Sequence, residues 1–349
     1  MRTSISREVA ASRCRKERLT GRPYRLLPGP VRLSTLRSLL LHIGYHKTGT
    51  SWLQRFVFPS SDLGLAKACG EGKLKRAVVA PHDLEFDAQA CRAGFEPRIR
   101  KIEKSALVPV LSAERLCGDM LYGAYDSARI ARRLADTFPE ARVLVVFREQ
   151  RQMILSSYRQ YVSTGGLLSL EDYLRPPRPR YPHPWPFSPV HFEYDRLIAL
   201  YRELFDEARV LALPYELFRS DPQEFVVRIT AFVGIQPPPE AVAALPFTFV
   251  ENPAWPTTTL GARRRANILL GGRLNPWAPL DAKAGLGGVL RRSLRAVGSR
   301  APDRVAASAT RRLSMTVEAA VGDRYRESNR RTAELTGIDL ATFGYALEG

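Results

Sequence analysis

The sequence predicts an α/β fold in which a central, mainly parallel β-sheet is flanked by helices on both faces. Three observations support this fold class: four apolar runs have the length of buried strands, helical stretches alternate with them, and polar or charged residues follow each run. This alternation is typical of parallel sheets that are covered on both faces. Because ligands bind at the carboxyl ends of such strands, one site is predicted from the loops after Ile43, Leu111, Phe147 and Leu213.

The predicted elements alternate along the chain. The strands are "LLLHIG" (39–44), "ALVPVLS" (106–112), "ARVLVVFRE" (141–149) and "ARVLALPYE" (208–216). The helices are "SWLQRFVF" (51–58), "DSARIARRLADTF" (126–138), "QMILSSYRQYV" (152–162) and "PQEFVVRITAFVGI" (222–235). In the second helix, Ile130, Leu134 and Phe138 recur at helical spacing and predict a buried face.

The domain organisation follows from composition. Residues 1–37 are Arg- and Ser-rich without sustained periodicity, which favours a disordered basic extension over an organelle transit peptide. Residues 38–349 are predicted to form a single domain. Within it, the Pro-rich stretch 174–189 is predicted to be a loop or extended segment, which could be a lid, a loop that faces a substrate, or a connector. The Gly-, Pro- and Arg-rich residues 271–310 are predicted to be peripheral.

The formal net charge of +18 predicts anionic partners but does not choose among nucleotides, nucleic acid, acidic glycans and anionic lipid. No helix-turn-helix, zinc-finger or aromatic RNP motif is recognisable, so a specific nucleic-acid partner is not expected. Residues 288–305 mix basic and apolar side chains at helical spacing. That pattern suits an anionic lipid surface, although an ordinary surface helix is favoured.

The expected location is the cytoplasm, with peripheral membrane association as the alternative. No apolar run approaches the ~20 residues that span a bilayer. The N-terminal segment also lacks the apolar stretch of a secretory signal. The cysteines, Cys14, Cys69, Cys91 and Cys117, form no C-x-x-C pair, which predicts reduced thiols and no zinc ribbon.

The stretch "GYHKTGTSW" (44–52) is similar to a phosphate-binding loop with a displaced lysine. Gly44 and Gly49 have the spacing of the G-x-x-x-x-G-K-[ST] pattern, but Thr50 takes the lysine position and Lys47 lies inside the loop. Backbone N–H groups and hydroxyls at a helix N-terminus, together with the lysine charge, favour a bound anion. An ordinary strand-to-helix turn is the weaker interpretation, because three hydroxyl residues lie within eight positions.

A second polar element follows the third predicted strand. Arg148 ends that strand, and Ser156 lies eight residues later, about two turns into the next helix. An arginine fork and a serine hydroxyl together suit a second phosphate. Alone, Arg148 could equally pair with a surface carboxylate, so the argument depends on its combination with the loop.

In combination, these elements resemble the sulfotransferase family that uses 3′-phosphoadenosine 5′-phosphosulfate (PAPS). That family has a [KR]-[ST]-G-[ST]-[ST]-W type loop after its first strand and an Arg-x(7)-Ser element after a later one. Here they are "KTGTSW" and "REQRQMILS". Further stretches, "VLSAERL", "VLALPYELFRSDPQEFVVRITAFVGI" and "YRESNRRTAELTGIDLATFGY", are similar to bacterial members. The resemblance extends with interruptions from about Leu39 to Tyr345 and implies a P-loop-like sulfotransferase architecture.

The resemblance implies roles for individual residues. The 5′-phosphosulfate would be bound by Lys47, Thr48, Gly49, Thr50 and Ser51, and the 3′-phosphate by Arg148 and Ser156. Trp52 matches a tryptophan that packs near adenine, with anchoring of the first helix as the alternative role. Tyr215 matches a tyrosine that contacts adenine, and capping of a buried strand is the alternative.

Glu114 is the predicted catalytic base. It follows the second predicted strand, near the position of the "KTH" histidine of cytosolic family members, although here the residue is a carboxylate. Pairing with Arg115 or helix capping is the alternative. His46, beside Lys47, ranks below Glu114 because a loop histidine more often packs or orients backbone, and His42 is assigned to the strand.

The expected reaction is sulfuryl transfer from PAPS to a hydroxyl or amine, with a carbohydrate or lipid-linked sugar favoured as acceptor. Lys47 and the loop amides would stabilise the leaving oxygen, Glu114 would accept the acceptor proton, and no metal would be required. The basic run "ARRRAN" (262–267) is expected to form a solvated helix face, and the alternative that the resemblance implies is a position near the 3′-phosphate. The alternatives are a P-loop kinase or NTPase with a displaced lysine and a polyanion-binding protein.

Overall fold

The computed structural model describes residues 39–175, 185–249 and 254–347. The predicted extension at 1–37 and most of the Pro-rich segment lie outside these ranges. In the described part, the strands are β1 (Leu40–His42), β2 (Leu65–Lys67), β3 (Val108–Ser112), β4 (Arg142–Phe147) and β5 (Val210–Pro214). They form one sheet of order β2-β3-β1-β4-β5, and all four pairings are parallel.

Helices cover both faces of this sheet. The α-helices of the described part are α1 (Thr50–Trp52), α2 (Glu71–Leu74), α3 (Ala88–Lys104), α4 (Ser127–Thr137), α5 (Gln150–Ser163), α6 (Leu170–Leu174), α7 (Tyr194–Phe205), α8 (Tyr215–Ser220), α9 (Pro222–Phe232), α10 (Pro239–Ala243), α11 (Leu260–Ala266), α12 (Gly285–Ser299), α13 (Asp303–Val321) and α14 (Arg326–Thr336).

The alternation of side chains along the strands divides the core into two layers. Leu40 points into a cluster that includes α1, α8 and α9, whereas Leu41 points into a larger cluster that includes α3, α4, α5 and α7. Both leucines have no exposed surface. Burial on both faces is the reason that the strands are continuously apolar, and the predicted α/β fold class is confirmed.

Two local features differ from the sequence predictions. The edge strand β2, with the sequence "LAK", was missed because three residues carry too little pattern for a prediction. The helix predicted at 51–58 has only three α-helical residues and continues as a π-helical turn, Leu53–Val57, in which the N–H of Phe58 donates to the carbonyl of Leu53. The other three predicted helices correspond to α4, α5 and α9.

The strand order creates a switch point between β1 and β4. After β1 the chain moves to β2 on one side of the sheet, and after β4 it moves to β5 on the other. The two exit loops therefore diverge, which leaves a crevice at the carboxyl ends of these strands where ligands bind in open α/β sheets. The loop that contains Lys47 and the residue Arg148 both leave the sheet there.

Candidate active site

The loop after β1 is held in an unusual backbone conformation. The N–H groups of Ile43 and Tyr45 donate to carbonyls of β4, so the loop starts in register with the sheet. Lys47 then has φ 66° and Gly49 has φ 81°. Positive φ is disfavoured for lysine, and non-glycine residues in such conformations cluster at functional sites. The loop thus turns sharply into α1 with Lys47 at its bend.

The two loop glycines serve different purposes. A Cβ on Gly44 would collide with Nε2 of His42, so the first glycine gives space for the strand's buried histidine. Gly49 needs the left-handed conformation, and its Cα faces the ring of Tyr215, where a Cβ would lie 3.3 Å from Cε2. Of the two glycines that share the spacing of nucleotide-binding loops, Gly44 is therefore needed for packing and Gly49 for its backbone conformation.

Lys47 is a largely buried cation without an ion-pair partner among the described residues. Burial lowers the pKa of Lys47, the charge of nearby Glu114 opposes this shift, and Arg159 and Arg148 add to it. Burying an ammonium among other cations is unfavourable unless an anion compensates. The surroundings of Lys47 therefore favour a bound anion.

Arg148 reaches from the end of β4 to the loop. Its Nη1 donates to the carbonyl of Lys47 at 3.3 Å and its Nη2 to Gln152 Oε1 at 3.1 Å. The guanidinium lies 5.2 Å from the ring centroid of Tyr215, and the buried Nε has no hydrogen-bond partner. No carboxylate of the described residues pairs with Arg148. The predicted alternative, an ion pair between Arg148 and a surface carboxylate, therefore does not occur among them.

Arg159 is a third cation of this site that sequence reasoning missed. It lies one helical turn after Ser156 on α5, and its Nε donates to the carbonyl of Trp255 at 2.9 Å. Burial lowers the pKa of Arg159, and repulsion by Arg148 lowers it further. The spacing of Gln152, Ser156 and Arg159 along one helix face was the available signal.

The hydroxyls of the site fall into two groups. Thr48 is buried and donates to the carbonyl of Tyr45, so it stabilises the loop from within. Ser51 and Ser156 are partly exposed and make no hydrogen bond within the described residues, so both remain available to a ligand. The buried Oγ1 of Thr50 also lacks a partner of good geometry, although it lies beside the Glu114 carboxyl.

Glu114 opens a 3₁₀ turn, Glu114–Cys117, directly after β3. Burial raises the pKa of its carboxyl, and the charge of Lys47 partly opposes the shift. The alternative pairing with Arg115 does not occur, since Arg115 contacts Asp119 and Asp126 instead. A buried carboxyl with a raised pKa beside the loop lysine has the electrostatic character of a general base.

The two histidines near the loop are neutral. Burial lowers the pKa of His46 to about 3, with neighbouring His191 and Lys47 contributing. Burial likewise lowers the pKa of His42 to about 3, and its Nδ1 is hydrogen bonded to Ser112 Oγ at 2.8 Å. Such low pKa values make both imidazoles poor proton acceptors, which agrees with ranking His46 below Glu114.

The two aromatic residues assigned to adenine lie in different environments. Trp52 is 3% exposed, stacks on Phe247 and donates its indole N–H to the carbonyl of Pro246 at 3.1 Å. This environment fits the alternative role of Trp52 as an anchor of the first helix, and its contact with adenine stays a prediction. Tyr215, at the start of α8, is half-buried between Gly49 and Arg148 and faces the site.

The basic run at 262–267 lies mostly on α11. Its three arginines diverge: Arg263 is 1% exposed, Arg264 donates to the carbonyl of Leu167 at 3.1 Å, and Arg265 points to solvent. The run is therefore not a uniformly solvated helix face. Arg263 lines a separate cleft near the carboxyl end of α5.

The described ranges hold neither a candidate metal centre nor a candidate membrane-spanning helix. No group of three or more His, Cys, Asp or Glu side chains is arranged to bind a metal ion in the described part of the chain. Over the same residues, no helix combines the length and apolar character that crossing a bilayer would need.

The fold and site together define an α/β protein with a cationic crevice at the switch point of its sheet. The model of the sulfotransferase family matches residues 85–239, which include Glu114, Arg148, Ser156 and Tyr215 but not the loop after β1. This match confirms the resemblance to a sulfotransferase family that the motifs indicated.

Comparisons with individual proteins add little. No curated protein matches the chain. The crystal structure of a sulfotransferase from Alicyclobacillus acidocaldarius is 17% identical, covers 66% of this chain and 92% of that chain, and has a TM-score of 0.42.

Proposed function

We propose that the chain transfers a sulfuryl group from 3′-phosphoadenosine 5′-phosphosulfate to a hydroxyl or amine of an acceptor. The observation that carries the proposal is the convergence of Lys47, Arg148 and Arg159 at the switch point, where no carboxylate forms an ion pair with any of the three within the described residues. Cations that repel one another in a partly buried site are best accounted for by a multiply charged ligand.

The residues present fit the two anionic ends of this donor. Lys47, the N–H groups at the start of α1 and the Ser51 hydroxyl would bind the phosphosulfate. Arg148, with its unpartnered Nε, and Ser156 would bind the 3′-phosphate, with Arg159 adding charge behind them. The ring of Tyr215 lies between these two groups, where a base could stack.

The donor supplies an activated sulfuryl group, and this chain's residues would control charge and proton. Lys47 is placed to stabilise the negative charge that develops on the leaving oxygen, a contribution of about 10²–10³ in rate for one well-placed donor. Glu114 would accept the proton of the acceptor at its carboxylate. Its raised pKa improves its basicity, as long as the pH keeps it ionised.

We favour a carbohydrate or a lipid-linked sugar as the acceptor, because the strongly basic chain would attract acidic glycans and anionic surfaces. Neither choice follows from the geometry of Lys47 and Glu114, which requires only a nucleophile whose proton can reach the carboxylate.

The test is a transfer assay with the full chain, labelled PAPS and a panel of glycan, lipid and phenolic acceptors. The proposal predicts label on at least one acceptor and no phosphate transfer from ATP with Mg²⁺. Transfer of the ATP γ-phosphate without any sulfate transfer would instead identify a kinase with a displaced lysine.

A further inference from the structure

A second cationic cleft lies outside the site described above. It has a volume of about 850 Å³ and is lined by the end of α5, by Arg263 on α11, by the segment 271–283 and by Arg291 on α12. Ser163, at its wall, follows Ser156 by seven residues, which corresponds to about 10 Å along α5. The cleft is therefore close to the proposed nucleotide site but not part of it.

The wall of the cleft is firmly connected to α5. The side-chain amide of Asn267 donates to the carbonyls of Val162 and Gly166, both at 2.8 Å. The N–H of Leu274 donates to the carbonyl of Thr164 at 3.1 Å, and a Cβ on Gly272 would lie 2.5 Å from the same oxygen. Residues 267–274 thus pack closely against the end of α5. The first residues of the segment 271–310, which was predicted to be peripheral, are therefore packed against the core helices.

Arg263 is the unusual member of this wall. It is 1% exposed, and its Nε and Nη1 have no hydrogen-bond partner. Its guanidinium lies 5.5 Å from the ring centroid of Trp255, which is a weak substitute for hydration. Burial lowers the pKa of Arg263 to about 10, and the nearby charge of Arg291 contributes.

The other charges of the cleft do not neutralise this arginine. Arg291 and Lys283 form no ion pair within the described residues. Arg273 is already paired with Asp119 at 2.5 Å. Asp281 is the acidic residue of the lining, and its Oδ1 accepts the backbone N–H of Lys283 at 2.8 Å rather than pairing with an arginine.

We propose that this cleft is a second oxyanion site, which binds the phosphate or sulfate ester group of an organic molecule. A buried guanidinium with two free donors is costly to maintain unless a ligand pairs with it, and its planar fork matches a tetrahedral oxyanion. The volume lies within the ~300–1,000 Å³ of small-molecule sites, which leaves room for a sugar-sized group beside the anion. The proposal does not depend on the identity of the sulfuryl donor.

The test measures binding of inorganic phosphate to the full chain by calorimetry, with ionic strength held constant by sodium chloride. We expect Arg291→Ala and Arg263→Gln to weaken binding at one site about tenfold or more. Arg265→Ala, which removes an exposed charge from the same helix as Arg263, and Lys47→Ala should both retain that site. Wild-type phosphate binding by folded Arg291→Ala and Lys283→Ala proteins would overturn the proposal, even if Arg263→Gln failed to fold.

A second arm separates the sources of the ester. Glucose 6-phosphate is compared with vesicles of phosphatidylglycerol and phosphatidylcholine, and vesicles of phosphatidylcholine alone are the control. Binding of the sugar phosphate that Arg291→Ala weakens supports a soluble ester. Binding to the anionic vesicles that phosphate displaces and Arg291→Ala weakens supports a lipid headgroup. If vesicle binding is unaffected by both phosphate and Arg291→Ala, and the sugar phosphate does not bind, the cleft is not a site for either kind of ester.

Discussion

The arginines of α14 and the cations at the switch point show two different uses of positive charge. On α14, Arg330 pairs with Glu327 at 2.8 Å and also with Glu334, and Arg331 pairs with Glu327 at 2.7 Å, all on an exposed face. At the switch point, Lys47 and Arg148 are partly buried and have no paired carboxylate among the described residues. The net charge of +18 is therefore informative only where the structure leaves cations unpaired.

Removal of the loop cation should have the largest effect. Lys47→Ala is expected to lower the rate of sulfate transfer by about 10²–10³ or more, because it removes the cation proposed to stabilise the leaving oxygen. The measurement is label transfer at saturating donor, with thermal unfolding as the control of folding. Lys101→Ala, which removes an exposed lysine of α3, should keep full activity. If both variants lost the same activity, the loop would have no special role.

The second-largest effect is expected from removal of the Glu114 carboxylate, which lies near Lys47. Glu114→Gln is expected to reduce turnover by about 10²-fold with little change in donor affinity, because general-base catalysis is lost. Burial raises the pKa of Glu114, so wild-type activity should fall as the pH drops through a value above the ordinary glutamate range. The variant should lack this acidic limb. Equal losses of turnover and donor affinity would instead indicate a structural role.

The arginine after β4 tests the second half of the site. Arg148→Ala should weaken binding of 3′-phosphoadenosine 5′-phosphate by about 2 kcal/mol, or roughly 30-fold, as expected for a lost charge-assisted hydrogen bond. Adenosine 5′-phosphate, which lacks the 3′-phosphate, should bind the variant and the wild type alike. Unchanged affinity for the 3′-phosphorylated nucleotide would contradict the assignment.

Arg159 should matter less than Arg148, because its guanidinium already donates to the carbonyl of Trp255. We expect Arg159→Ala to weaken binding of the same nucleotide by about 1 kcal/mol, or roughly fivefold. Calorimetry at two salt concentrations checks this, since a longer-range charge effect should shrink as salt rises. A loss as large as that of Arg148→Ala would show direct contact with the ligand.

The smallest effect on activity and stability is expected when a paired arginine of α14 is removed. Arg330→Ala should leave both transfer activity and the melting temperature unchanged within error, because exposed ion pairs contribute little. Both quantities are measured beside Arg148→Ala. A loss of nucleotide affinity in Arg330→Ala would mean that total charge, rather than placement, determines binding.

The sequence predicted the framework of this molecule because strong local patterns encode it. The apolar runs of β1, β3, β4 and β5 and the periodic faces of α4, α5 and α9 were all recognisable. The edge strand β2 and the π-helical turn after α1 were not, because a three-residue strand has no pattern and a π turn depends on tertiary packing. Helix α12 overlaps the stretch 288–305, whose helical spacing was recognisable, but its close approach to the segment 281–283 through its glycines was not.

The parts of the candidate site that could be predicted are those in which a short sequence motif falls within a single loop or helix. The loop with Lys47 and the pair of Arg148 and Ser156 could be inferred from spacing. For Arg159 the spacing shows only that it shares a helix face with Ser156, because its participation also depends on how α5 packs beside Trp255. The motif also could not predict the environment of Trp52, because only the fold shows that its ring packs against other aromatic side chains.

The most direct measurement is calorimetric titration of the wild-type chain with 3′-phosphoadenosine 5′-phosphate and, separately, with adenosine 5′-phosphate. If unpaired cations at the switch point form a site for a 3′-phosphorylated nucleotide, the first ligand should bind at least about 30-fold more tightly than the second. Equal affinities for the two nucleotides, or binding of ATP with Mg²⁺ but of neither, would contradict the account.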